Sequence, residues 1–320
     1  MQILKSRCTD AYYNLAWEEI LFEQFENCIF IWQNDNSVIV GRNQNIYSEV
    51  NLPIAEQLNT KIVRRNTGGG AVYHDLNNIN FSFCFQESQF SKEIFIHAIL
   101  DFLQTLSISA ELSGRNDILL NGKKISGCAE LSRNGRTLFH GTLLFNTDTD
   151  RMQKLLNVSA EKMVSKGIDS VKSRVANLKS YCPNDWNAQI FMQNLYEYLK
   201  KTFNAVPANT DEKLILNLAK EKYITYEWNF GRNPKFNLIQ KKRFSIGEIE
   251  VCLNVEKNII KECKFCGDFI GRLAADQLAD KFLNVPYEKN TLIQFLHNQN
   301  ISDYFGKISE KDFAELFFTK

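Results

Sequence analysis

Three consecutive glycines, Gly68 to Gly70, interrupt the run IVRRNTGGGAVYHDLNNINFSF between Ile62 and Phe83. The residues after them decide what they can be. From Ile79 to Phe85, apolar Ile79, Phe81, Phe83 and Phe85 alternate with Asn80, Ser82 and Cys84, which is the period of a strand. A phosphate-cradling P-loop needs Gly-Lys-Ser/Thr and then a helix, and a dinucleotide-binding turn needs GxGxxG opening a helix. Neither pattern is present. Without Cβ atoms, the loop's amides can approach a ligand closely. Arg64 and Arg65 just upstream have the donor geometry to pair with an anion. A glycine-rich turn flanked by solvated arginines fits the tripeptide equally well, so the tripeptide alone leaves both readings open.

The rest of the chain supplies the context. TDAYYNLAWEEILFEQF predicts an early helix capped by Thr9 or Asp10, with Leu15, Leu21, Phe22 and Phe25 on its apolar face. CIFIWQNDNSVIVGRNQN predicts two strands around a polar turn. SKEIFIHAILDFLQTLS predicts a helix capped at Ser91. Two hairpins come next, turning at Asn121-Gly122 and Asn134-Gly135, because both residues of an Asn-Gly pair accept positive φ. The basic stretch EKMVSKGIDSVKSRVANLKS reads as a mobile surface loop. NAQIFMQNLYEYLKKTF and TDEKLILNLAKEKY read as helices. Between Phe236 and Lys242 the pattern changes to a meander, RFSIGEIEVCLNVEKNIIKECKF. RLAADQLADKFLN, NTLIQFLHN and EKDFAELFF then predict short helices. This divides the chain into residues 1–240 and a small second domain, 241–320.

Composition narrows the function. The chain has 320 residues, 44% hydrophobic and 23% charged, with a net charge of +1. A core of ordinary size is expected, and there is no global electrostatic case for nucleic acid or membrane. No apolar run is long enough to span a bilayer. The start, MQILKSRCTDAYYNLAWEE, lacks a secretory pattern, so the chain is expected to be cytoplasmic and its eight cysteines reduced. Cys263 and Cys266 form a CxxC without a second pair at zinc spacing, and are expected to be structural thiols.

Two of the four histidines, His74 and His140, lie in the strand-rich middle. Lys124, in GKKISG, sits one strand from His140 if the two hairpins pair. Together with the glycine run and the basic stretch, these residues suggest an anion site.

The same residues carry a resemblance. RRNTGGGAVYHDLNNINFSF is similar to the ligand-binding loop and strand of the lipoate–protein ligases, members of the biotin/lipoyl ligase superfamily. GRNDILLNGKKISGCAE resembles the stretch bearing that family's catalytic lysine. HGTLLFNTD and SKGIDSVKSRVANL resemble its next strand and its adenylate-binding loop. YEWNFGRNPKF resembles the segment closing the large domain, and EVCLNVEKNIIKECKFCGDFIG resembles the start of the accessory domain. The resemblance covers nearly the whole chain. It implies an α+β fold: a mixed β-sheet flanked by helices, like the class II synthetase and biotin-ligase domains, with a small α+β C-terminal accessory domain.

The resemblance also implies ATP and Mg²⁺ as cofactors and free lipoate as substrate. Lipoate would be activated to lipoyl-AMP and passed to a lysine of an acceptor. The acceptors are lipoyl domains of 2-oxoacid dehydrogenase complexes and the glycine-cleavage H protein. Lys124 is the implied catalytic residue, touching both acyl carbonyl and α-phosphate. Trp32, Arg65, Thr67, Gly69, Gly70, Ala71, His74, His140, Gly141 and Thr142 are implied to bind lipoate or its adenylate, with ordering of its own hairpin as the alternative role for His74. Within that set, the amides of Gly69, Gly70 and Ala71 donate to the ligand and Arg65 faces the phosphates. Asn116, Asp117, Lys166, Gly167, Val171 and Arg174 are implied to serve the nucleotide, with Asp117 also on the metal side.

Two departures stand out. Thr67 replaces the more usual serine, and Cys128 comes after Ser126-Gly127 where Asn, Ser or Thr is usual. Cys128 raises the alternative of a transferase working through a cysteine thioester, or on preformed lipoyl-AMP. A non-catalytic lipoate or adenylate sensor is a third reading. Near-neutral charge and the lack of a helix-turn-helix signature count against a DNA-binding regulator.

Overall fold

The structure is a computed structural model that describes residues 1–114, 117–157, 174–230, 236 and 238–318. Its centre is an eight-stranded mixed sheet. The strands are β1 (Gln2–Lys5), β2 (Cys28–Trp32), β6 (Asn78–Gln86), β7 (Glu111–Ser113), β8 (Asp117–Leu120), β9 (Lys123–Arg133), β10 (Arg136–Leu144) and β11 (Val206–Pro207). Their order is β11-β1-β2-β6-β10-β9-β8-β7. The β1 strand runs parallel to β2 and β11, and the remaining pairs are antiparallel. A three-stranded sheet, β4-β3-β5, is formed by β3 (Ser37–Val40), β4 (Lys61–Arg64) and β5 (Val72–His74). The two strands predicted around the polar turn, β2 and β3, therefore enter different sheets and do not form a hairpin.

Strand β6 explains the layering. Phe81, Phe83 and Phe85 point into a core shared with the helices Lys92–Thr105 and Ala188–Thr202. The alternate residues Asn80 and Ser82 are equally buried, at 1% and 0% exposure, on the opposite face. That face is covered by the helix Ala11–Gln24 and the small sheet, whose Leu15, Ile39 and Val63 share a core with Phe30 and Trp32 of β2. Alternation here separates a core from a buried polar site rather than from water.

Local signals behave as their chemistry requires. Asp10 caps the first helix by accepting from Tyr13 N at 2.9 Å. Ser91 occupies the expected cap position but makes no side-chain cap bond. Both Asn-Gly turns have positive φ at both residues, 51° and 74° at Asn121-Gly122 and 54° and 71° at Asn134-Gly135. They close β8 onto β9 and β9 onto β10.

The meander β12 (Leu238–Phe244), β13 (Gly247–Glu256) and β14 (Ile259–Gly267) forms the second unit. Because β12 begins at Leu238, a division after residue 240 falls inside a strand. Phe265, Phe282, Phe305, Phe313 and Phe317 join this sheet to its helices. One of those helices, Ile301–Phe305, is additional to the three predicted. This unit rests on the first through backbone bonds Gly69 N to Phe269 O (3.0 Å), Gly267 N to Asn43 O (2.9 Å) and Ser132 N to Arg272 O (2.7 Å).

Candidate active site

Two adjoining chambers open on the polar face of the large sheet. The inner chamber has a volume of about 110 Å³ and the outer about 520 Å³. Gly70, Ala71, Val72, Lys124, Gly127 and Thr142 line both, so they form the seam. Lys124 is held there by register. It lies near the start of β9 opposite Leu119, and its carbonyl accepts from Ala176 N at 2.9 Å. Its Nζ lies 2.8 Å from Asp117 Oδ1, and roughly a third of each side chain is exposed. The glycine three residues on has a steric reason. A Cβ at Gly127 would stand 2.8 Å from both Cε and Nζ of Lys124. The KISG spacing therefore lets the lysine lie flat across β9 and reach the seam.

The inner chamber is backed by a buried hydrogen-bonded chain. Trp32 Nε1 donates to Ser82 Oγ (2.8 Å), which donates to Glu18 Oε1 (2.5 Å). The same carboxylate oxygen lies 2.8 Å from His140 Nδ1, and His140 Nε2 lies 2.7 Å from Thr67 Oγ1. Arg65 Nε donates to that hydroxyl at 3.0 Å. Thr67 is fully buried behind the glycine loop and does not line the chamber, so its hydroxyl holds His140 and Arg65 rather than the acyl group. Gly141 borders the chamber, but its missing side chain serves the core. A Cβ there would meet Phe81 Cζ at 2.4 Å and Cys128 Sγ at 2.8 Å.

The arginines make extensive bonds to backbone carbonyls, and Arg65 also lines the inner chamber. Arg65 donates to the carbonyls of Ile39, Gly68 and Gly70 at 3.1, 2.5 and 2.9 Å, as well as to Thr67. Arg64 donates to the carbonyls of Gly41, Arg42, Gln44, Trp228 and Asn229. Burial lowers both guanidinium pKa values to about 10, leaving them charged at neutral pH. Both are braces for loops. Gly69 lines the inner chamber too, while its amide donates to Phe269 O of the second unit. Gly70 and Ala71 line both chambers.

Asp117 and Arg174 line the outer chamber, where a nucleotide was expected. Asn116, Lys166, Gly167, Val171 and most of the basic stretch lie outside the described residues. His74 lines the inner chamber, and its Nδ1 lies 3.2 Å from Asn34 Nδ2. Burial, followed by the charge of Arg65, lowers its pKa to about 3, so it is neutral. Cys128 also lines this chamber at 4% exposure, and burial raises its thiol pKa to about 12. That leaves almost no thiolate at neutral pH, which is the wrong state for a thioester-forming nucleophile.

Sequence reasoning missed Glu18, Asn14, Asn34 and Asn80. Asn14 and Glu18 did leave a signal. They fall at helical spacing among Ala11, Leu15 and Phe22, two polar residues inside an apolar stripe. The CxxC reading needs adjustment too. Cys263 and Cys266 are three apart on β14 and so point to opposite faces. Cys266 instead approaches Cys252 and Glu250, with ligand atoms within 4.8 Å of one another.

Two adjoining chambers meeting at a cation suit a ligase that activates an acid on a nucleotide. Known proteins point the same way. Residues 10–200 match the family described as "Lipoyl protein ligase A/B catalytic domain", and residues 233–317 match "Bacterial lipoate protein ligase C-terminus". The chain is 36% identical over 323 residues to the lipoate-protein ligase LplJ of Bacillus subtilis, covering 97% of each. It superposes on P. falciparum LipL1, solved in complex with lipoate, with a TM-score of 0.81. There the identity is 25% and the coverage 98% of this chain and 97% of that one. A lipoate-protein ligase A solved with ATP matches with a TM-score of 0.60 and 27% identity, over 72% of this chain and 97% of that one. The protein is thus an enzyme of the protein-ligase class with a catalytic and an accessory unit. The chain belongs to the lipoate–protein ligase family.

Proposed function

We propose that the protein activates free lipoate with ATP to lipoyl-AMP and transfers the lipoyl group to a lysine of a lipoyl domain or H protein. The position of Lys124 on the seam carries this reading. In the first step a carboxylate oxygen of lipoate attacks the α-phosphorus, the bond to pyrophosphate breaks, and pyrophosphate leaves. Negative charge grows on the phosphate, and a fixed cation stabilises it. In the second step the acceptor amine attacks the acyl carbonyl, loses a proton, and AMP departs. The same ammonium then polarises the carbonyl. Placing the tail in the inner chamber and the nucleotide in the outer one leaves both reacting centres at Lys124.

Mg²⁺ fits the outer chamber chemically. The ion is usually held by one or two carboxylates plus substrate phosphates. One oxygen of Asp117 is engaged by Lys124, and a carboxylate offers a second oxygen as a ligand. Such an ion would neutralise phosphate charge. The second unit, by taking the Gly69 amide, sits over the loop that the acceptor lysine has to approach. We therefore expect it to reorient during the cycle; an unchanged domain orientation in a lipoyl-AMP complex would remove this element.

The deciding assay offers lipoate with ATP, or lipoyl-AMP alone, to one H protein and one dehydrogenase lipoyl domain, and tracks acceptor mass and pyrophosphate. Modification and pyrophosphate release with lipoate and ATP are expected. Modification only with preformed lipoyl-AMP would sink the adenylation step, and an acyl adduct on Cys128 would favour the thioester route. Among the described residues, no helix is long and apolar enough to cross a membrane, and no role at a bilayer is invoked.

A further inference from the structure

We infer that Glu250, Cys252 and Cys266, on the sheet of the second unit, form a binding site for a thiophilic divalent cation of the Zn²⁺ kind. None of the three lines either chamber, so the site stands apart from the ligase reading.

Register brings the three side chains together. Glu250 and Cys252 are two apart on β13 and therefore share a face. Cys266 of β14 is the direct cross-strand partner of Glu250, and Cys252 lies diagonally beside it, opposite Lys264. Their ligand atoms all lie within 4.8 Å of one another. The other face of the sheet belongs to the core, where Ile249, Val251, Leu253 and Phe265 pack with Cys263. Cys252 and Cys266 are not members of that core. Cys252 is nevertheless 4% exposed, while Glu250 and Cys266 are partly open and leave an entry for an ion.

The spacing suits a metal better than a disulfide. Tetrahedral Zn²⁺ holds sulfur at about 2.3 Å and carboxylate oxygen at about 2.0–2.2 Å, which sets neighbouring sulfur and oxygen ligands about 3.5 Å apart. Cys252 Sγ and Glu250 Oε1 are 3.4 Å apart, with the thiol donating to the carboxylate. A disulfide needs Cα atoms within about 6.8 Å, and diagonal cross-strand neighbours typically stand about 7–8 Å apart. On binding, the ion would replace the two thiol protons, which pass to solvent. Thiolate ligands select Zn²⁺ over Mg²⁺, and three protein ligands leave the fourth tetrahedral position to water. Lys264 and Arg64 both act on the Cys266 sulfur electrostatically and offset the negative charge of the ligand set.

The site also has a place in the fold. Cys266 precedes Gly267, whose amide donates to Asn43 O of the first unit at 2.9 Å. An ion here would clip β13 to β14 at the point where the second unit meets the first.

The test titrates the reduced full chain, stripped of metal by a chelator and free of nucleotide, with Co²⁺ and then with Zn²⁺. One Co²⁺ per chain should bind with a thiolate-to-metal charge-transfer band, and Zn²⁺ should displace it. Cys252→Ser and Cys266→Ser should each weaken binding by about 100-fold or more, and Glu250→Gln by about tenfold. Cys263→Ser should leave the affinity unchanged, because that thiol packs on the core face. Absence of the band in the unaltered protein would overturn the inference, and that arm needs no variant to fold. A band that survives Cys266→Ser undiminished would place the ion elsewhere and overturn it as well. The readout uses neither ATP nor lipoate, so a failure of the ligase reading would leave this result standing.

Discussion

The two chambers hold their cations in opposite ways. Beside the inner chamber, Arg65 is 6% exposed and wrapped by carbonyls and a hydroxyl of its own and neighbouring segments. At the outer one, Lys124 is paired with the Asp117 carboxylate and has about a third of its side chain exposed. A guanidinium ringed by acceptors fixes a shape, while an ammonium paired to one carboxylate can exchange it for a substrate's charge. The proposed mechanism accordingly assigns the chemistry to the cation left partly unsatisfied rather than to the most arginine-rich motif.

The sharpest way to break this contrast is Lys124→Ala. Lipoate-dependent pyrophosphate exchange should fall about 1000-fold or more, the range for removing one group that stabilises transition-state charge. The melting temperature should barely move, because an ion pair with about a third of each side chain exposed contributes little to stability. Wild-type exchange in the variant would remove Lys124 from the mechanism. Arg65→Ala should do the reverse and act first on folding. It strips donors from buried carbonyls, and denaturant titration should show a loss of about 3 kcal/mol. An Arg65→Ala protein as stable as the parent would mean that the loop does not depend on its brace.

A pH titration separates the chambers more gently. The unfolded chain protonates His74 below its ordinary 6.5, whereas the folded protein resists until about 3. Between those values the unfolded state binds more protons, so stability should decline as pH falls across the window. Comparing the unfolding free energy of the parent and His74→Phe at pH 7 and pH 5 isolates this part, and an identical decline in both would refute it. The smallest effect belongs to Cys128→Ser. With the thiol held protonated by burial, activity should change by no more than about threefold. Abolished activity with intact folding would revive the thioester route.

Much of this site was legible before the fold was known. The period-2 run after Gly70, the two Asn-Gly turns and Lys124 in its hairpin each arise from local chemistry, and the structure has them where they were expected. Trp32, Gly70, Ala71, His140 and Thr142, named from the resemblance, line the inner chamber. Less visible were the partners. That Thr67 faces His140, that Glu18 reaches across from the first helix, and that Phe269 occupies the Gly69 amide all depend on segments far apart in sequence. No local pattern records which acceptor a buried donor will meet.

The sequence by itself determined the elements, their turns and the order of the motifs, because backbone conformation and side-chain periodicity are properties of neighbouring residues. The tertiary structure alone decided which charges would be consumed and which kept available. Burying an arginine is tolerable only where acceptors from several strands and loops converge on it. Carbonyls from separate strands, loops and a helix converge on Arg64 and Arg65, whereas at Lys124 the hairpin supplies a carboxylate and the chambers supply space.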